Sequence, residues 1–169
     1  MQGREKMSNR ITTDQIASVF GEPANYIVKV DYGKTLAQMK YDGHYDWSNP
    51  DITPENFPIN GTGVVEVPLE LVHLNKVVSS NMVLVHLDAN GMRAATVEEL
   101  LAFGATYPEI QRKFPVVALG SPNLWPGCSC PLPYLTSGRF ERELKLNWRW
   151  FGILSWYEDC RFLAVRKSA

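Results

Sequence analysis

Residues 139–167 read RFERELKLNWRWFGILSWYEDCRFLAVRK, and the fold turns on how this stretch is read. Its first half alternates. Leu144, Leu146, Trp148 and Trp150 occupy even positions, while Lys145, Asn147, Arg149 and Phe151 take the odd ones. A period of two is the strand signature, with one face buried and the other presented. Three of the five Trp residues lie here, Trp148, Trp150 and Trp156, and the stretch ends in an apolar run boxed by Arg161 and Arg166. Two readings stand open at this point: an ordinary amphipathic strand, or a strand whose outer face is a binding surface.

Upstream, Pro115, Pro122, Pro126, Pro131 and Pro133 punctuate short apolar pieces such as residues 116–119, so the final third is β and loop. Helices are predicted before it. Thr96 with Glu99 forms a capping box for a helix through Phe103, closed by Gly104, and residues 106–113 read as one more short helix. Residues 79–90 fit helix or strand by apolar content, and Ser79 or Ser80 as cap with Asn90-Gly91 as stop favour a helix. Residues 63–75 alternate as a strand, with Pro68 implying an edge or a bulge because it cannot donate to a ladder. Residues 44–63 carry Asn49-Pro50, Pro54, Pro58 and Asn60-Gly61 and read as a long ordered loop. Thr35 and Gln38 cap a short helix ended by Asp42-Gly43, and residues 26–30 read as a strand. Residues 12–20 offer a further capped helix, with Ile16, Val19 and Phe20 on one face and Gly21 as its stop. Helices grouped before a β region indicate an α+β domain.

A chain of 169 residues with 45% apolar and 21% charged residues suits one globular domain with a real core. The net charge of -1 gives no global pull toward nucleic acid or anionic membrane. No apolar run approaches the ~18–20 residues of a membrane span. The opening MQGREKMSNR lacks the apolar centre of a secretory signal.

Catalytic chemistry finds little purchase. Three Cys residues exclude a complete disulfide framework, and Cys128, Cys130 and Cys160 show no zinc-ligand spacing with His44, His73 or His86. Gly120-Ser121 lacks the surround of a nucleophile elbow, and no Gly-rich loop leads a strand into a helix. Asp88, Glu98 and Glu99 read as helix-surface or capping acids. Arg139, Arg142, Arg149, Arg161 and Arg166 are interleaved with Glu141, Glu143, Glu158 and Asp159, which reads as a solvated mixed-charge surface. No enzyme, metal site or cofactor is expected.

Three segments resemble the formylglycine-generating-enzyme branch of the C-type lectin fold, in matching order over residues 62–167. Gly91-Met92-Arg93-Ala94-Ala95-Thr96-Val97-Glu98-Glu99 resembles the Gly-x-Arg-Leu-Pro-Thr-x-x-Glu signature that opens that branch's second helix, with Ala94-Ala95 in place of Leu-Pro. Leu119-Gly120-Ser121 is similar to its Gly-Gly-Ser element, and Cys160-Arg161-Phe162-Leu163-Ala164 to its closing Gly-Phe-Arg-Leu-Ala strand. The whole pattern is most similar to the variable proteins of diversity-generating retroelements. The resemblance implies a C-type lectin-like domain over residues 61–169, an N-terminal extension over 1–60, and a variable region over about 121–167.

In that family, reverse transcription that errs at template adenines diversifies surface positions, largely at Asn codons, which never become Trp, Lys, Glu, Gln or Met. The resemblance thus makes Trp148, Trp150, Trp156, Glu141, Glu143, Lys145 and Glu158 fixed. Displayed, ligand-binding positions would be Asn147, Arg149, Phe151, Gly152, Leu154, Ser155, Tyr157, Asp159 and Cys160. Asn123, Leu124, Cys128, Ser129 and Tyr134 would join them from the preceding segments. Ile153 and Leu154 also fit plain core. The Glu-Pro-Asn, Gln-Pro-Asp and Trp-Asn-Asp elements of calcium-dependent sugar binding do not occur, and Glu22-Pro23-Ala24-Asn25 lies outside the fold region with an insertion.

The implied protein displays a surface to varied macromolecular ligands, protein foremost, without nucleic acid or membrane insertion, and its place is cytoplasmic or virion-associated. Two other readings are a copper and cysteine oxidoreductase, for which Cys128, Cys130 and Cys160 are the only thiols, and a fixed viral structural component.

Overall fold

A computed structural model describes residues 26–121, 131–147 and 155–168. In chain order the elements begin with β1 (Tyr26–Asp31), α1 (Leu36–Asp42), β2 (Trp47–Ser48), β3 (Val64–Val72), β4 (Val78–Ser79) and α2 (Ser80–Ala89). They continue with β5 (Met92–Ala94), α3 (Val97–Thr106), β6 (Val116–Val117), β7 (Leu132–Ser137), β8 (Arg142–Asn147), β9 (Ser155–Trp156) and β10 (Arg161–Arg166). The class is α+β. The helix expected at 12–20 and the continuation of alternation through Trp148 and Trp150 lie outside the described residues.

The last strand is the central one. β10 pairs antiparallel with β3, setting Phe162 against Val72 and Ala164 against Glu70. Its other edge pairs parallel with β6 and then antiparallel with β5. The sheet runs β1, β3, β10, β6, β7, β8, β2, with β5 off that path, and β4 with β9 forms a separate ribbon. A strand covered on both faces carries apolar side chains at successive positions. Phe162, Leu163, Ala164 and Val165 are accordingly all buried.

The two faces support two cores. Leu163, Val165, Leu135, Leu144 and Leu146 pack with Leu100, Leu101 and Phe103 of α3 in the larger one. Phe162, Ala164 and Cys160 pack with Leu132, Trp156, and Val83 and Leu87 of α2 in the smaller. β8 shows the expected alternation, with Arg142, Leu144 and Leu146 buried and Glu143, Lys145 and Asn147 half-buried.

Both described capping boxes form as expected, at Thr35 with Gln38 and at Thr96 with Glu99. Ser79 caps α2, and its C-cap is Asn90. The ends of α3 differ from expectation. The helix runs through Gly104 to Thr106, because Gly104 is a point of close approach: a Cβ there would stand 2.2 Å from the Tyr45 hydroxyl. Residues 106–113 form only a 3-10 turn at Ile110–Arg112.

Pro68 is not in a bulge, and although β3 is an inner strand of the sheet, Pro68 sits where one of its sides is locally an edge. β3 lies between β1 and β10, and Pro68 stands opposite Ile27. The Tyr107 hydroxyl donates to the Ile27 carbonyl at 3.0 Å and accepts from its N–H at 3.2 Å, so Ile27 turns its polar groups away from β3. Pro68 therefore points its nitrogen toward the β10 side, where pairing with β3 extends only over residues 70–72. The missing N–H costs nothing.

Residues 26–60 are built into the same fold. β1 and β2 join the sheet, and Leu36, Met39, Ile52 and Phe57 belong to the larger core. The stretch 44–63 thus supplies a strand and two core residues. The acids of α3 are buried rather than surface groups. Glu99 accepts both arms of Arg93 at 2.8 and 3.0 Å and the Thr96 N–H at 2.8 Å, while Glu98 accepts from the Asn60 N–H at 3.1 Å.

Arg142 leaves the expected solvated series as well. It is buried, donating to the carbonyls of Gly43 at 2.6 Å and Gly104 at 2.7 Å and to the Gln111 side chain at 2.9 Å, with Tyr45 stacked against it. Burial lowers its pKa, yet an arginine stays charged, so these acceptors supply its compensation. Arg142→Ala strands three buried acceptors at roughly 1–3 kcal/mol each. The expected result is a loss of about 3 kcal/mol or more in urea unfolding, against less than about 1 kcal/mol for exposed Arg139→Ala.

Candidate functional surface

The surface is built on the outer side of β7 and β8 and on the turn that leads into β10. Antiparallel pairing places Tyr134 opposite Lys145, and Thr136 opposite Glu143. Successive residues alternate faces, so these four share the side opposite Leu135 and Leu144. Lys145 and Glu143 pair at 2.7 Å. Asn147 ends β8 on the same side, half-buried, opposite Leu132.

Trp156 closes this face from above. It is only 3% exposed, and its indole N–H donates to the Ser80 hydroxyl at 2.9 Å. Tyr134 and Phe162 meet it edge-on at centroid distances of 5.9 and 6.3 Å. Its neighbour points the other way: Tyr157 is 71% exposed. β9 pairs with β4, and that ribbon sets the alternation at this step.

The turn after β9 is held by backbone groups. The Cys160 N–H donates to the Tyr157 carbonyl at 3.2 Å. Arg161 donates to the Asp159 carbonyl at 2.7 Å while its guanidinium lies 4.1 Å over the Phe114 ring. His73 bonds the Glu158 carbonyl at 2.8 Å. The exposed side chains of Tyr157, Glu158 and Asp159 take no part in these bonds. Such a platform can change those side chains without losing its backbone contacts.

The structure brings Tyr134, Asn147, Ser155, Tyr157 and Asp159 to this end of the molecule, half-buried in the first three cases and exposed in the last two. Cys160 is different: at 5% exposure it packs beside Trp156 and Phe162, so its side chain belongs to the core rather than the displayed set. Asn123, Leu124, Cys128, Ser129, Arg149, Phe151, Gly152 and Leu154 lie outside the described residues. The supporting role of His73 went unseen in the sequence, since a lone His before a turn carries no local signal. Phe114 likewise reads as an ordinary apolar residue until Arg161 is placed over it.

The three resembling segments meet in space. The Gly120 N–H donates to the Ala95 carbonyl at 2.8 Å, and the Ala95 N–H donates to Leu163 at 2.9 Å. A Cβ on Gly120 would stand 2.3 Å from the Ala94 carbonyl, so only glycine fits there. Ser121 then accepts from the Val97 N–H at 2.6 Å, adding a partner at the head of α3.

Among the described residues, no group of three His, Cys, Asp or Glu side chains is disposed to hold a metal, and no helix is long and apolar enough to cross a membrane. No known family, curated protein or solved structure matches the chain.

Neighbouring residues 156 and 157 differ sharply in what they support. Trp156→Ala opens a cavity worth about 3–5 kcal/mol, whereas Tyr157→Ala is expected to stay within about 0.5 kcal/mol of the parent. Equilibrium urea unfolding of the two variants measures the contrast.

Burial, helped by nearby Asp159, pushes the Cys160 thiol from 9.0 up to about 11. The folded state therefore keeps this proton to higher pH than the unfolded chain does, and stability falls as pH rises through that window. Tyr45, pushed above its ordinary 10.0 by burial, adds to the loss at higher pH. Cys160→Ala is expected to lose about 1 kcal/mol less stability than the parent between pH 8 and 10, read from urea midpoints.

Proposed function

We propose that this chain is a ligand-binding display protein on a C-type lectin-like scaffold, with a C-terminal surface diversified by a retroelement. Trp156 and Tyr157 carry the reading. A diversified Asn codon never yields Trp, and Trp156 is a core residue with its N–H satisfied. Tyr157, next to it, is open to such change and is solvent-exposed. The division is confined to that pair: Glu158, fixed on this reading, is exposed like Asp159, and only its backbone carbonyl is anchored.

The convergence of Ala94-Ala95, Gly120-Ser121 and Leu163 on one set of backbone hydrogen bonds also supports the lectin-like scaffold. Aromatic side chains such as Tyr157 suit protein targets, because a rigid amphipathic ring loses little entropy on binding. An oxidoreductase would use an accessible thiolate, and Cys160 is a buried thiol with a raised pKa.

The deciding experiment is genomic. The source genome is expected to hold a near-copy of the coding region for residues 121–167 beside a reverse transcriptase gene, differing at template adenines. Finding no such copy, or sequence-identical display positions across isolates, overturns the proposal.

A further inference from the structure

Helix α2 carries more apolar surface than its core contacts use. Val83 and Leu87 are buried in the smaller core, yet Met82 is 52% and Val85 69% exposed. Met82, Val85 and Ala89 follow helical spacing along a second face. That face and the segment after β3 form an open groove of about 710 Å³, with Leu74 and Val78 on its other wall. Lys76 and His86 line its polar rim.

We propose that this groove is the docking site of the chain's own N-terminal segment, residues 12–20, which lies outside the described residues. Three observations favour that occupant. Antiparallel pairing of Tyr26 with Leu69 runs the N-terminal end of β1 alongside the C-terminal end of β3, and His73 and Leu74 of the groove follow β3 directly. The way from Tyr26 to that wall is about 13 Å along the strand, within the ~20 Å that the six residues from Phe20 to Tyr26 can span. By the sequence reading of residues 12–20 as a helix, Ile16, Val19 and Phe20 would share one apolar face, complementary to the exposed Met82 and Val85. Asp14 lies at the start of that segment, opposite in charge to Lys76 on the groove's rim.

The docking shares His73 and Val78 with the support of the 156–158 turn but involves none of the displayed positions, and the disulfide readout does not rest on the display reading. Its test is disulfide trapping in the full chain. Val19→Cys with Val85→Cys is oxidised gently and compared with Val19→Cys with Val64→Cys, Val64 being exposed at the far end of β3. Peptide mass spectrometry assigns the bonds with the native cysteines in place. The expected result is an intrachain 19–85 bond in at least about tenfold excess over 19–64, as docking raises the effective concentration. Adding Phe20→Asp to the first pair should remove that excess. An interchain 85–85 or 19–85 bond assigns the groove to a second copy and overturns the proposal. Equal yields from the two pairs, or an excess indifferent to Phe20→Asp, overturn it as well.

Discussion

The structure depends on β10 being buried on both faces. A central strand must satisfy its backbone groups on both edges and its side chains above and below at once. β3, β5 and β6 provide the edges, and two separate apolar clusters cover the faces. Phe162 and Ala164 lean one way, Leu163 and Val165 the other. Because the partners come from distant parts of the chain, closing this strand brings the β3 end, the head of α3 and the turn after β9 together.

That convergence separates supporting backbone groups from exposed side chains. The turn at 157–160 is fixed by carbonyls and N–H groups bonded to His73, Arg161 and one another. Its outward side chains contribute little to holding it, which is the physical condition for a surface that tolerates replacement. Inward, Trp156 fills space between Tyr134 and Phe162 and spends its one donor on Ser80. The step from residue 156 to 157 crosses from core to solvent within one peptide unit.

Buried polar groups set the orientation of the helical layer. Glu99 ties Arg93 to the N-terminus of α3, and Arg142 reaches back from β8 to the carbonyls of Gly43 and Gly104. The Arg142 Nε has no partner among the described residues. Even so, Glu99 has a donor at both carboxylate oxygens and Arg142 has acceptors at both terminal guanidinium nitrogens, which makes each buried charge tolerable. These contacts join residues 26–60 to the rest, together with the core positions of Leu36, Ile52 and Phe57.

Local rules were legible wherever a residue's neighbours in sequence decide its state. The capping boxes at Thr35 and Thr96, the Ser79 cap, and the alternation of Leu144 and Leu146 are of that kind. Composition and periodicity alone determined the α+β class. Tertiary structure decided the cases in which one residue answers to a distant partner. Arg142 and Glu98 look solvated in sequence because charge usually is, and only packing shows the carbonyls and amides that hold them. Gly104 resembles a helix stop until Tyr45 is set against it, and only the pairing shows that Pro68, on an inner strand, keeps a locally unpaired side. Cys160 follows the alternation into the core by its place beside β10, whereas its sequence neighbours Tyr157 and Asp159 stay in water.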